Sequence, residues 1–177
     1  PSPLVNRVLR IAAFQNPEFY KAQAMRLSTF DKPRVISCGE ELDRHIALPR
    51  GSLDELIGLL RECSINIQVQ DQRFEGQPIE AKFSGRLRST QEAAVQAVLS
   101  HEDGVLSAPT GFGKTAVAAY VIAARKINTL ILVHRRQLLD QWRERLGMFL
   151  DLPPDSIGQV GGGKSAPTGI VDVAVVQ

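Results

Sequence analysis

The sequence predicts an α/β fold, a parallel sheet built around a glycine-rich loop and incomplete in this chain, preceded by a small α+β unit. Three observations carry that expectation. Apolar, strand-like runs alternate with helix-periodic stretches from residue 89 onward. The run A-P-T-G-F-G-K-T, residues 108–115, stands between one such strand and one such helix. Ahead of them lies a segment of different texture, closed by the polar, Gly- and Pro-bearing stretch 71–85. Strands alternating with helices imply parallel pairing, with helices on both faces of the sheet. The expected division is 1–85 for the small unit with its linker and 86–177 for the sheet domain.

Composition sets the bounds. Of 177 residues, 44% are hydrophobic, which suffices for a packed core. No apolar run approaches the roughly 20 residues of a membrane-spanning helix. The chain begins at Pro1 with no charged-then-apolar leader and ends in the apolar run V-A-V-V-Q, so it reads as an internal piece of a cytoplasmic protein. A net charge of +2 does not by itself announce a nucleic-acid binder, so any basic groove would have to arise from folding. Cys38 and Cys63 form no close pair and are expected to be buried, reduced thiols. His45 and His101 have no partners at ligand spacing, and no metal-binding cluster is expected from them.

The elements of the first segment follow from local signals. Ser2-Pro3 reads as an N-cap with proline at the first helical position, and Val5, Val8, Leu9 and Ala12 recur at helical spacing. Asn16-Pro17-Glu18 stops that helix and starts a second, reaching about Leu27. Residues 34–37 and 45–48 read as short strands. Ser52 with Glu55 forms a capping-box pattern ahead of Leu53, Leu56, Ile57 and Leu60. Residues 65–70 alternate apolar and polar, as a half-buried strand does.

In the second segment, Ser89 with Glu92 suggests a capping box, backed by Val95, Val98 and Leu99. Residues 104–107 are expected as a strand, the helix after the loop runs from about Lys114 to Ala124, and residues 129–133 form a buried strand. A helix from Arg136 to Leu146 follows. Trp142 shares spacing with Leu139 and Leu146, which favours packing over a base-stacking role. Residues 151–154 break the chain, residues 161–164 form a glycine loop, and residues 170–176 form a third strand.

The loop at residues 108–115 fits G-x-x-x-x-G-K-S/T except that Ala108 replaces the first glycine. Gly111 and Gly113 permit the backbone curl that, beyond Pro109, aims the successive N–H groups of Thr110 through Phe112 at phosphate oxygens. The following helix adds its positive N-terminus. Lys114 is placed to reach the β- and γ-phosphates, and the Thr115 hydroxyl to ligate Mg²⁺ on the nucleotide. Phe112 is expected to pack or to hinge the loop. Gly111-x-Gly113-x-x-Ala116 also fits a dinucleotide fingerprint, but residues 131–136, where a ribose-binding acid belongs, hold none. Arg135 and Arg136 there could meet a 2′-phosphate, but that reading leaves Lys114-Thr115 unexplained. A plain glycine turn is the remaining alternative.

The surroundings of the loop carry a family resemblance. L-R-S-T-Q at 87–91 resembles the L-R-x-x-Q element of superfamily 2 helicases, and 108–115 has the form of Walker A found there. L-I-L-V-H-R-R-Q-L-L-D-Q-W at 130–142 resembles their motif Ia, and 157–164 with 173–177 resembles the approach to motif Ib of the XPB-like branch. The opening helices, P-R-V-I-S and H-I-A-L-P-R-G resemble the helicase part of TOTE conflict-system primase-helicases. The resemblance implies a RecA-like P-loop domain that binds ATP and Mg²⁺, with Gln91 reading the adenine edge and Arg88 near the base. It implies that residues 1–85 engage DNA. His134, Arg135 and Arg136 would hold the DNA backbone without reading sequence, and Lys164 could do the same.

One departure is large. The acidic pairs are Glu40-Glu41, Asp54-Glu55 and Glu102-Asp103, and none follows an apolar strand downstream of the loop. Asp172 lies in a strand but precedes Val173. The chain is therefore expected to bind nucleotide without turning it over, as part of an ATP-dependent helicase or translocase, or as a non-catalytic nucleotide- and nucleic-acid-binding module.

Overall fold

The computed structural model describes residues 3–153 and 155–176, so the expected cap at Ser2 lies outside the described residues. The chain forms two compact units, Pro1–Asp71 and Gln72–Gln177.

The first unit is α+β. Helix α1 (Pro3–Ile11) leads into β1 (Ala13–Gln15), α2 (Pro17–Ala24) and β2 (Val35–Ser37). Asn16 sits at the centre of this arrangement. Its Oδ1 accepts from the Glu18 N–H at 3.0 Å and caps α2, with Pro17 at the first helical position. Its Nδ2 donates to the Pro33 carbonyl at 2.8 Å, and its N–H donates to the Arg34 carbonyl at 3.1 Å. A single buried side chain therefore starts the helix and closes the base of the loop that follows it. Strands β1 and β2 pair antiparallel, and β3 (Glu40–Glu41) pairs with β4 (Ile46–Ala47). A 3₁₀ turn (Arg50–Ser52) precedes α3 (Leu53–Glu62).

Three expectations for this unit are corrected. Ser52 ends the 3₁₀ turn and its side chain makes no capping bond, so α3 starts without the expected box. Residues 65–70 form no strand: Ile65 and Val69 are exposed, and the two short ribbons already pair within themselves. Alternation alone cannot supply a partner strand. Cys38 is exposed beyond the end of β2, and Cys63 is half-buried as the C-cap of α3, where the Arg7 guanidinium reaches its sulfur at 3.3 Å.

The second unit is α/β. It contains β5 (Lys82–Phe83), α4 (Ser89–Leu99), α5 (Lys114–Arg125), β6 (Thr129–Val133), α6 (Arg136–Phe149), β7 (Leu150–Asp151), β8 (Ile157–Gly161), β9 (Lys164–Ala166) and β10 (Val171–Val175). The main sheet has the order β6-β10-β8-β9, with the first three parallel and β9 folded back as a hairpin. Strand β10 inserts between β6 and β8, and Val171 and Val173 are fully buried there. Helix α6 covers one face through Leu139 and Leu146, both at 0% exposure, and α5 adds Ala119, Ile122 and Ala123 to the same core. Trp142 packs against this core, as its spacing predicts.

The sheet is not covered on both faces. Ile131 and Val133 pack into the core, but Leu130 and Leu132 on the alternate face are 61% and 62% exposed. Residues 104–107, expected as a strand, are unpaired, and Val105 is 96% exposed. An apolar run becomes a strand only beside another, and no neighbour lies along it among the described residues. The expected linker is also partly built into this unit. Asn128 and Gln77 exchange hydrogen bonds at 2.8 Å, Ile79 donates to the Lys126 carbonyl at 3.0 Å, and Lys82 and Phe83 pair with Asp151 and Leu150. Ile79 and Ala81 are core residues, so the division falls at residue 71 rather than 85.

Candidate functional site

The glycine loop opens α5. Gly111 and Gly113 adopt φ of +80° and +89°, which side-chain-bearing residues rarely reach, and Gly113 is the left-handed N-cap of α5. The Phe112 N–H donates to the Pro109 carbonyl at 3.3 Å, and those of Ala116 and Val117 donate to the Gly113 carbonyl at 2.9 and 3.2 Å. The Lys114 ammonium donates to the carbonyls of Ala108 at 2.7 Å and Pro109 at 2.9 Å. It therefore closes over the same bend whose N–H groups the loop presents. Thr115 is half-buried in the first turn of α5, and Thr110 is exposed at the turn. The Phe112 ring packs against Leu87, Val95 and Val117, which supports the packing role expected of it.

Arg88 and Gln91 meet this loop from α4. Helix α4 starts at Ser89 with Arg88 as its N-cap, one residue earlier than the Ser89 capping pattern suggests. The closing side chain is Gln91: its Oε1 accepts from the Arg88 N–H at 2.9 Å. Its Nε2 donates to the Phe112 carbonyl at 2.8 Å, and the Arg88 guanidinium donates to the same oxygen at 2.5 Å. Gln91 is buried, and a Cβ on Gly113 would lie 2.5 Å from its Nε2. Gly113 is thus required twice, once for its φ and once for the approach of Gln91. Sequence reasoning missed that one backbone carbonyl ties both residues to the loop; the only signal was the capping pattern itself.

His134, Arg135 and Arg136 follow β6 and are exposed, with Arg135 as N-cap of α6. Gly161, Gly162 and Gly163, all with positive φ, turn the β8–β9 hairpin at the same sheet end, and Lys164 is exposed just beyond. A Cβ on Gly162 would stand 3.4 Å from Arg136 Cγ, so the bare backbone there lets the Arg136 stem lie against the turn. The structure brings Arg136 to the hairpin that carries Lys164, a juxtaposition that spacing could not reveal.

The one acid in the strands of the main sheet is occupied elsewhere. Asp172 is buried at the N-terminal end of β10, opposite the end that carries Arg135 and Arg136. Its carboxylate accepts from Thr168 N–H at 2.7 Å, Thr168 Oγ1 at 3.1 Å and Gly169 N–H at 2.9 Å. It closes a turn. Among the described residues no group of three or more His, Cys, Asp or Glu is placed to hold a metal ion. No helix among them is long and apolar enough to cross a membrane.

The fold and the loop define a P-loop α/β domain of the RecA-like kind. The family described as type III restriction enzyme, res subunit, matches residues 84–175, and the chain belongs to that family. It is 37% identical over 105 residues to the DNA 3′-5′ translocase XPB2 of Sulfurisphaera tokodaii, across 59% of this chain and 23% of that protein. It is also 37% identical over 78 residues to the DNA 3′-5′ helicase XPB of Kineococcus radiotolerans, across 44% of this chain and 14% of that one. The chain thus spans less than a quarter of the length of these XPB-like relatives. The crystal structure of the UvsW helicase from Bacteriophage T4 superposes with a TM-score of 0.61 at 14% identity, covering 99% of this chain and 69% of that one. That likeness is one of fold.

Proposed function

We propose that this chain is part of an ATP-dependent DNA helicase or translocase: it binds ATP·Mg²⁺ at residues 108–115 and holds the nucleic-acid backbone weakly, and alone it does not turn over. The observation that carries the reading is the loop itself, two glycines in left-handed backbone at the N-terminus of α5 with Lys114 folded over them. The donors fit the group. Successive N–H groups and the helix end suit phosphate oxygens, Lys114 would exchange its two carbonyl partners for the β- and γ-phosphates, and Thr115 would ligate the ion. Mg²⁺, when bound, supplies charge neutralisation between the phosphates. The first unit, residues 1–71, would form the accessory DNA-engaging part. Calorimetric titration with ATP and Mg²⁺ tests the reading: saturable, Mg²⁺-dependent binding supports it, and no heat at millimolar nucleotide rejects it.

Binding without hydrolysis is supported by the commitment of Asp172 to the Thr168-Gly169 turn. A phosphate-release assay reporting sustained turnover would refute that part.

Base choice follows from Gln91. Its amide has one N–H and one oxygen lone pair beyond the bonds to Arg88 and Phe112, enough for an adenine edge. ATP is expected to bind more tightly than GTP, and Gln91→Ala to erase the difference. Equal affinities in the unsubstituted protein would count against this role.

For the backbone-holding role, Arg135, Arg136 and Lys164 support weak, sequence-independent binding, on the order of 10⁻⁴–10⁻⁶ M and falling steeply with salt as counterions are released. The paired change Arg135→Ala and Arg136→Ala should weaken every sequence alike and flatten the slope of log affinity against log salt. Binding that ignores salt would remove the role from this segment.

A further inference from the structure

The first unit carries all four of its aromatic residues, Phe14, Phe19, Tyr20 and Phe30, within 17 consecutive positions. Phe30 stands at the turn of the α2–β2 loop and is 100% exposed, and Met25 and Leu27 on the same loop are 59% and 62% exposed. Exposing a whole phenyl ring forgoes the stabilisation that burial would contribute. The loop nevertheless has a defined shape. Asn16 ties its far end through the Pro33 and Arg34 backbone, Lys32 N–H donates to the Thr29 carbonyl at 3.1 Å, and Phe30 N–H reaches Ser28 Oγ at 3.4 Å.

Charge is segregated along the stretch of sequence that carries this ring. Residues 14–35 carry Lys21, Arg26, Lys32 and Arg34 against Glu18 and Asp31, while the rest of the unit has five cations against seven acids. Lys21, Arg26 and Arg34 are exposed. Arg34 Nε donates to the Tyr20 hydroxyl at 3.2 Å, and this bond pushes the guanidinium pKa up. Lys32 lies 3.1 Å from Asp31 and holds that carboxyl below its usual range, so Asp31 stays ionised and offsets one of the four cations.

We propose that the α2–β2 loop is a docking surface for single-stranded nucleic acid, with Phe30 stacking on an unpaired base while Lys21, Arg26 and Arg34 hold the flanking phosphates. An exposed aromatic offers a π-face that any base can use, and exposed cations on the same loop and the helix before it match the regular anionic charge of a strand. A duplex keeps its bases stacked on one another, so the ring has a partner only where the strand is open. The choice of nucleic acid as occupant rests on the DNA reading above, but the contact is separate from residues 134–136.

The test uses the full chain, a thymidine oligonucleotide of about twenty residues, and a duplex of the same length. Phe30→Trp places a fluorophore at the tip; its emission, measured against the Trp142 background of the unsubstituted protein, is expected to be quenched as the oligonucleotide binds. Phe30→Ala and Phe30→Leu should weaken the single strand roughly fivefold or more, the loss of one stacked base, and the duplex much less. Circular dichroism should be unchanged, because the ring packs on nothing. Unquenched emission at saturating oligonucleotide overturns the proposal, as does Phe30→Ala binding like the unsubstituted protein. A blue-shifted emission from the Phe30→Trp protein, with concentration-dependent sedimentation in the absence of oligonucleotide, would mean a second copy covers the loop, and overturns it too. If quenching is absent while the Arg135, Arg136 double change still weakens binding, only this proposal falls; the reverse pattern removes only the strand-end role.

Discussion

Lys114→Ala is expected to reduce ATP binding below calorimetric detection. The lysine is folded over the loop, where it donates to the carbonyls of Ala108 and Pro109. With its removal the β- and γ-phosphates would lose the ammonium and keep the backbone dipoles of the loop and Thr115. Hydrogen bonds between charged partners contribute about 1.5–3 kcal/mol each, so losing two lowers affinity a hundredfold or more. Because Lys114 is exposed, the unfolding midpoint should hardly move. Equal heats for the two proteins would take the nucleotide site away from residues 108–115.

Leu139→Ala is expected to destabilise the second unit by about 2–5 kcal/mol, read as a shift in the urea midpoint without a change in slope. Leu139 is fully buried and joins α6 to the Val133, Val171 and Val173 cluster. Truncation leaves a void that close-packed neighbours fill only in part. Against a typical total of 5–15 kcal/mol, such a loss can unfold a small domain at ordinary temperature. Leu139→Met, close in volume, should cost less than about 1.5 kcal/mol. A cost below ~1 kcal/mol for the alanine variant would mean that α6 does not hold the sheet.

What could be read in the sequence was whatever is encoded locally. Asn16-Pro17, the 3.6-residue spacing of Leu139, Trp142 and Leu146, and the glycine positions of the loop each act over a few residues, and the structure follows them. What was missed depends on distant partners. Residues 104–107 and 65–70 have strand composition, but pairing is a property of a neighbour that their own pattern cannot report. Strand β8 was hidden for the opposite reason, since Gly158 and Gln159 look like loop residues. Gly158 is there because a Cβ would collide with the Asp172 carboxylate, and Gln159 is buried because it accepts from Arg143 at 3.1 Å. The loop residues of the candidate site were legible, whereas the shared Phe112 carbonyl and the meeting of Arg136 with Gly162 were not.

The pairing of Lys82 and Phe83 with Leu150 and Asp151 bears on how the chain can be shortened. A truncation that starts at residue 86, where composition invites a cut, discards Ile79 and Ala81 and strips the partner from β7. Phe83 would go with them, and its ring lies between Tyr120 and Phe149, with centroids 5.2 and 6.0 Å away. A start at residue 72 keeps the strip of chain that seals the edge of the sheet domain. The stretch that looks most dispensable is thus a clasp, and sequence polarity is a poor guide to where this polypeptide tolerates a new end.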